Sequence, residues 1–180
     1  MIYCFLAEGF EEVEALAAVD MIRRADLELK IVGVNNKTIC GAHKIKVECD
    51  CVSDEITLDS NLNAIILPGG MPGTLNLEKS NIVQNAIDFA YKNGKLICAI
   101  CAAPSILGHK GLLDGKNAIA YPGFENELIG AVISEKHVVR DGNIITAKGA
   151  GVAVDFGLEI VSYILGTEKA EEIRKSIQCR

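Results

Sequence analysis

One stretch, Lys95 to Ser105 (K-L-I-C-A-I-C-A-A-P-S), constrains this chain more than any other. Leu96 through Ile100 is an apolar run with no polar face, the pattern of a strand covered on both sides in a parallel sheet. Pro104 and Ser105 then open a helical pattern with Ile106, Leu107 and Leu112 as its apolar residues. Proline costs little in a first helical turn, where its missing N–H would have had no partner. Between strand and helix stands Cys101, with Ala99 two residues before it and Ala103 two after. A sharp strand-to-helix turn needs small flanks, because it draws the flanking Cβ atoms together and lifts the central side chain into a strained, exposed position. This is the geometry of the G-x-S-x-G elbow, with Cys at its centre and Ala in place of both glycines. A thiol there sits over a helix N-terminus whose free N–H groups favour the thiolate, so its pKa is expected to fall below the free value of about 8.5. The competing reading is an ordinary buried small residue, since free cysteine is often fully buried. Cys98, inside the apolar run, takes that second reading.

The 180 residues suit one domain spanning 1–180, long enough to bury roughly 70% of its unfolded surface. A net charge of −6 argues against a nucleic-acid partner or an acidic membrane surface. The opening Met1-Ile2-Tyr3-Cys4 carries no basic segment and its apolar run breaks at Glu8, so no signal peptide is expected. No apolar stretch reaches the ~20 residues of a membrane span. Seven cysteines without framework spacing fit a reducing cytoplasm. Cys49 and Cys51 form C-x-C rather than the commoner zinc spacing, with no His beside them, so no metal is expected.

In chain order, Ile2–Leu6 reads as a strand, and 11–25 as a helix with the stripe Val13, Leu16, Ala17, Met21. Glu11, Glu12 and Glu14 crowd its first turn, where the dipole favours negative charge, and this suffices for Glu11 and Glu12. Glu14 shares a stripe with Ala17, Ala18 and Met21; pointing inward, it would have a raised pKa and could exchange a proton with a thiol. Residues 28–34 read as a strand, 38–47 as a hairpin around Gly41 that carries His43, and 54–58 as a short helical turn. A strand at 63–67 ends in P-G-G-M-P-G, whose adjacent glycines permit close backbone approach, either as a mere tight turn or to aim an N–H at an oxyanion. An amphipathic helix at 80–93 is capped by Ser80 and stopped by Gly94. After the elbow come a strand at 117–121, a hairpin of 137–140 and 143–147 across Asp141-Gly142, an apolar helix at 152–165 and a polar one at 168–176. Alternating strands and helices mean an α/β sheet covered on both faces.

Taken together, A-E-G-F-E-E-V-E (7–14), I-I-L-P-G-G (65–70), A-I-C-A-A-P (99–104) and K-G-A-G-V-A-V-D-F (148–156) resemble the DJ-1/ThiJ/PfpI superfamily, in order and over essentially the whole chain, with the DJ-1/ThiJ branch the better fit. The resemblance implies a flavodoxin-like three-layer sandwich with a mostly parallel central sheet, and a homodimer. It implies Cys101 as the elbow nucleophile, Glu14 as the acid hydrogen-bonded to its sulfur, and the backbone N–H groups of Gly70 and Ala102 as the oxyanion site. The departures narrow the chemistry. PfpI-type peptidases place His directly after the nucleophile, where this chain has Ala102, so the base of a cysteine triad is missing and peptidase activity is not expected. Glutamine amidotransferases need a late His with a nearby acid, and His137 is followed by Val138 and Val139. Many DJ-1 members have His before Pro after the elbow helix; here Tyr121 precedes Pro122, a hydrogen-bond donor but a poor base at its ordinary pKa of ~10. His43 falls near where relatives place a partner-subunit Arg facing the cysteine, and His109 reads as surface.

Two functions compete. One is an enzyme acting on α-oxoaldehydes, of the glutathione-independent glyoxalase or protein deglycase type, on a small aldehyde or a glycated protein. The other is a non-catalytic redox sensor or chaperone working through oxidation of Cys101. Neither needs a cofactor, and no G-x-G-x-x-G follows a strand.

Overall fold

The computed structural model describes residues 1–179. Its elements are β1 (Ile2–Leu6), α1 (Glu12–Arg24), β2 (Leu29–Gly33), β3 (Thr38–Cys40), β4 (Lys46–Glu48), β5 (Cys51–Val52), β6 (Ala64–Leu67), α2 (Gly73–Lys79), α3 (Asn81–Lys92) and β7 (Leu96–Ile100). Then follow α4 (Pro104–His109), β8 (Asn117–Ala118), β9 (Val132–Ile133), β10 (Val138–Asp141), β11 (Ile144–Ala147), α5 (Ala153–Leu165) and α6 (Thr167–Ser176).

A seven-stranded sheet in the order β10-β11-β7-β6-β1-β2-β5 runs through the middle, parallel except for the hairpin strand β10. The alternating directions of strand side chains divide the core in two. Cys4, Ile66, Cys98 and Ile145 stand in register on one face and pack against α1, α5 and α6. Phe5, Leu67, Ile97 and Ala99 face the other way, against α2, α3 and α4. Both sides of the central strands are therefore dry, which explains their unbroken apolar runs. On the first face α1 and α5 come very close: a Cβ on Gly157 would stand 2.9 Å from the Cβ of Met21. That contact fixes α1, which carries Glu14, against the body of the protein.

The chain runs from β1 outward to β2 and later returns to place β6 on the other side of β1. Ligand crevices in open α/β sheets form at such a reversal, beyond the carboxyl ends of the strands. Here the loops after β1, β6 and β7 leave the sheet at that edge. Glu11 N–H donates to Gly69 O at 2.9 Å and Gly73 N–H to Gly9 O at 3.1 Å, tying the first two together.

The sandwich, the hairpin around Gly41 and the hairpin across Asp141-Gly142 match the expectations. Several local readings are corrected. The loop after β6 continues into α2, a short helix hidden by its Pro and Gly content. Ser80 precedes α3 but its side chain makes no capping hydrogen bond. The helix after the elbow ends at His109, before Leu112. The turn at 54–58 is a single 3-10 turn, Ser53–Glu55. The strand placed at 117–121 is only β8, paired with the unexpected β9 in a separate two-stranded ladder outside the main sheet. Among the described residues no helix is long and apolar enough to cross a membrane.

Candidate active site

Cys101 follows β7 with φ of 64°, the left-handed region that a residue with a Cβ enters at a cost of about 1–3 kcal/mol. Both of its peptide groups are pinned: its N–H donates to Ala147 O at 2.9 Å, and its carbonyl accepts Tyr121 N–H at 2.8 Å. The elbow read from the sequence is present, and α4 begins three residues later with Pro104 at its first position.

Glu14, in the first turn of α1, is 1% exposed. Its Oε2 accepts the Gly69 N–H at 2.9 Å, while Oε1 is buried without a well-aligned hydrogen bond. The carboxyl nevertheless interacts directly with the Cys101 thiol, a contact felt in the titration of both groups. Gly69 is wedged between them. A Cβ there would lie 2.5 Å from the Cβ of Cys101 and 2.7 Å from Glu14 Oε2. The adjacent Gly70 has φ of 88°, and its N–H together with that of Ala102 is directed at the Cys101 sulfur. The two glycines thus divide the work: the first holds the acid, the second faces the thiol. Only the second was legible as an oxyanion candidate.

The electrostatics correct one expectation. Cys101 is pushed up to about 12, first by burial and then by the charge and hydrogen bond of Glu14. The two N–H groups pull it down, but less strongly. The expected fall rested on the helix dipole, and α4 is only six residues long while a carboxylate stands against the thiol. Glu14 is itself raised to about 7 by burial, partly offset by hydrogen bonds from Cys101, Gly69 and Ala150. Strongly coupled groups titrate as a pair. Between those two values the pair holds a single proton, and Glu14 is the group able to take it from sulfur.

Tyr121 is half exposed, with its ring against Gly149 at the edge of the pair. His43 is exposed and lies beside two carboxylates of the α1 segment. Its Nδ1 lies 3.1 Å from Glu12 Oε2 and 3.5 Å from Glu11 Oε2, and both carboxylates raise its pKa. Glu12 is more than a solvated first-turn acid. It is buried, and its Oε1 accepts the N–H groups of His43 at 2.9 Å and Ile45 at 3.3 Å, clasping the β3–β4 hairpin to α1. Burial alone would raise its carboxyl, yet these bonds hold it below the usual range. Glu11, Glu12 and His43 bring potential metal-ligand atoms within 4.8 Å of one another, but the buried carboxylate is already engaged and the helix N-terminus disfavours a cation. His109 is exposed, as read, and also bridges two carboxylates, Nδ1 to Glu78 at 2.5 Å and Nε2 to Glu127 at 2.8 Å.

A three-layer α/β sandwich with a strained cysteine after its central strand, faced by a buried acid and two peptide N–H groups, defines a class of cysteine-elbow proteins. The DJ-1/PfpI family model matches residues 1–163, and the chain belongs to that family. It is 33% identical to the Drosophila melanogaster protein dj-1beta over 96% of this chain and 93% of that one. It is 28% identical to a Caenorhabditis elegans protein named glutathione-independent glyoxalase DJR-1.2, over 94% and 91% of the two chains. The solved structure of Toxoplasma gondii DJ-1, described as oxidized, superposes with a TM-score of 0.94 at 28% identity, covering 99% of this chain and 97% of that one.

Proposed function

We propose that this protein is a cysteine-dependent enzyme acting on α-oxoaldehydes without glutathione, with Cys101 as nucleophile and Glu14 as its proton carrier. The observation that carries this reading is the pair itself: a buried carboxyl raised to about 7 against a strained thiol. An acid poised near neutral pH is suited to both accepting and returning a proton.

Glu14 takes the thiol proton as sulfur bonds to the aldehyde carbon. The carbonyl electrons move to oxygen, which the N–H groups of Gly70 and Ala102 hold, and Glu14 passes the thiol proton on to that oxygen, giving a hemithioacetal and a carboxylate free to act again. Glu14 then removes the hydrogen from that carbon as the neighbouring carbonyl becomes the enediol hydroxyl. It returns the proton to the neighbouring carbon while the first hydroxyl gives up its proton, so that the two oxygens exchange one proton and the adduct becomes the thioester of a 2-hydroxy acid. Water cleaves the thioester, restoring the thiol; from methylglyoxal the product is lactate. Release of an early glycated adduct from a protein is the same chemistry with a different leaving group. The name of the C. elegans relative supports this reaction class. We further propose a homodimer, which the family resemblance implies.

The oxidized state of the Toxoplasma relative favours a second reading, in which Cys101 is a redox sensor. A thiol raised to about 12 is a poor match for that role, since oxidation follows thiolate content. The deciding experiment measures lactate from methylglyoxal without glutathione for the wild type, Glu14→Gln and Tyr121→Phe. Turnover lost with Glu14→Gln supports the enzyme. A freshly reduced wild type with no turnover, whose Cys101 gains oxygen under mild peroxide by mass spectrometry, favours the sensor.

A further inference from the structure

A cavity of about 320 Å³ opens beside the Glu14–Cys101 pair. Tyr121, Pro122, Ala150 and Val152 are among its walls, and Lys148 and His137 also line it. It shares a wall with the site. Tyr121 N–H holds the Cys101 carbonyl, and the Ala150 backbone is near enough to the Glu14 carboxyl to lower its pKa slightly. A Cβ on Gly149 would touch the Tyr121 ring at 3.2 Å and lie 3.8 Å from Glu14 Oε1.

Two features give the cavity a chemical preference. Its volume is far beyond the need of a three-carbon aldehyde, given that a water molecule takes about 30 Å³ in the liquid. Cavities from about 300 Å³ upward accept larger, mostly apolar molecules. Its charge is also unlike that of the rest of the chain. The protein carries a net charge of −6, yet no acidic residue lines this cavity while a lysine does. Lys148 is half-buried, and among the described residues no carboxylate forms an ion pair with it. A lysine can lay its stem along such apolar walls and keep its ammonium available for a ligand.

We propose that this cavity is the distal half of the substrate site, receiving an apolar ring or branched chain that ends in an anionic group, with Lys148 selecting the anion. The proposal rests on Cys101 as the aldehyde nucleophile and names its preferred substrate class, an α-oxoaldehyde with a carboxylated apolar tail. The aldehyde end reaches Cys101, the apolar segment lies along Tyr121 and Val152, and the carboxylate meets Lys148.

The test has two arms. The first compares kcat/KM for 4-carboxyphenylglyoxal and phenylglyoxal. The expected ratio is about tenfold in the wild type, falling towards one in Lys148→Met and largely kept in Lys148→Arg, in line with one charge-assisted contact. The second titrates 4-acetylbenzoate, which has no aldehyde to react, and follows binding by NMR. Binding by the wild type that weakens about tenfold in Lys148→Met supports the cavity even if no aldehyde is turned over, in which case only the catalytic reading fails. Turnover with equal kcat/KM for the two glyoxals, or 4-acetylbenzoate binding unchanged in Lys148→Met, overturns the cavity assignment.

Discussion

Replacing Glu14 by Gln is expected to drive the chemical reactivity and the turnover of Cys101 in opposite directions. In the wild type the thiol sits near 12, so at pH 8 roughly one molecule in ten thousand carries the thiolate. A like charge at close range contributes about 1–3 pKa units. Burial, the largest cause, survives the substitution, and a fall of about 1–2 units remains, which means about 10–100 times more thiolate. Each thiolate becomes less nucleophilic as its pKa falls, which reduces the gain in rate to about its square root. Carbamidomethylation of Cys101 by iodoacetamide at pH 8 is therefore expected to accelerate about 3–10-fold in Glu14→Gln, while lactate formation is lost. Peptide mapping by mass spectrometry separates Cys101 from the other partly accessible cysteines, Cys40 and Cys179. An unchanged or slower rate at Cys101 refutes the claim that the ionised carboxylate bears on the sulfur.

Two further substitutions probe the frame around the pair. Gly69→Ala forces a Cβ to within 2.5 Å of the Cys101 Cβ, so turnover is expected to fall by at least tenfold and stability by about 1–3 kcal/mol in chemical denaturation; wild-type behaviour in both contradicts the wedge. His109 has a raised pKa because of its bonds to Glu78 and Glu127, so its contribution is complete below the unfolded pKa of about 6.5, provided those acids are ionised, and is lost as pH rises through the raised folded value. With both pairs partly solvated, His109→Gln is expected to lower Tm by about 2–4 °C at pH 6 and by progressively less at higher pH, and a difference that stays constant from pH 6 to 9 refutes the assignment.

The elbow was legible because its causes are local. The continuous apolar run marks a doubly covered strand, and Ala99 and Ala103 permit the turn that φ of 64° at Cys101 requires. Glu14 was legible more weakly, through the small residues sharing its stripe, and gained its role from the family motif. The thiol's raised pKa was not legible, because the dipole argument is local while the opposing carboxylate arrives from α1 across the sheet edge. The bonds of Glu12 and His109 were missed for the same reason: their partners lie 31 residues away in His43 and Glu78. Short elements suffered most. β5, β8 and β9 are two residues each and owe their existence to neighbouring strands rather than to a pattern of their own.

The most direct test of the central claim compares methylglyoxal turnover, without glutathione, in Cys101→Ser and Cys98→Ser. Both cysteines lie in one short segment, but Cys98 is sealed in the core of β7 while Cys101 meets Glu14 and two peptide N–H groups. Loss of turnover in Cys101→Ser with most of it kept in Cys98→Ser is the predicted result. Equal loss in the two variants, or turnover that persists without the Cys101 thiol, contradicts the account.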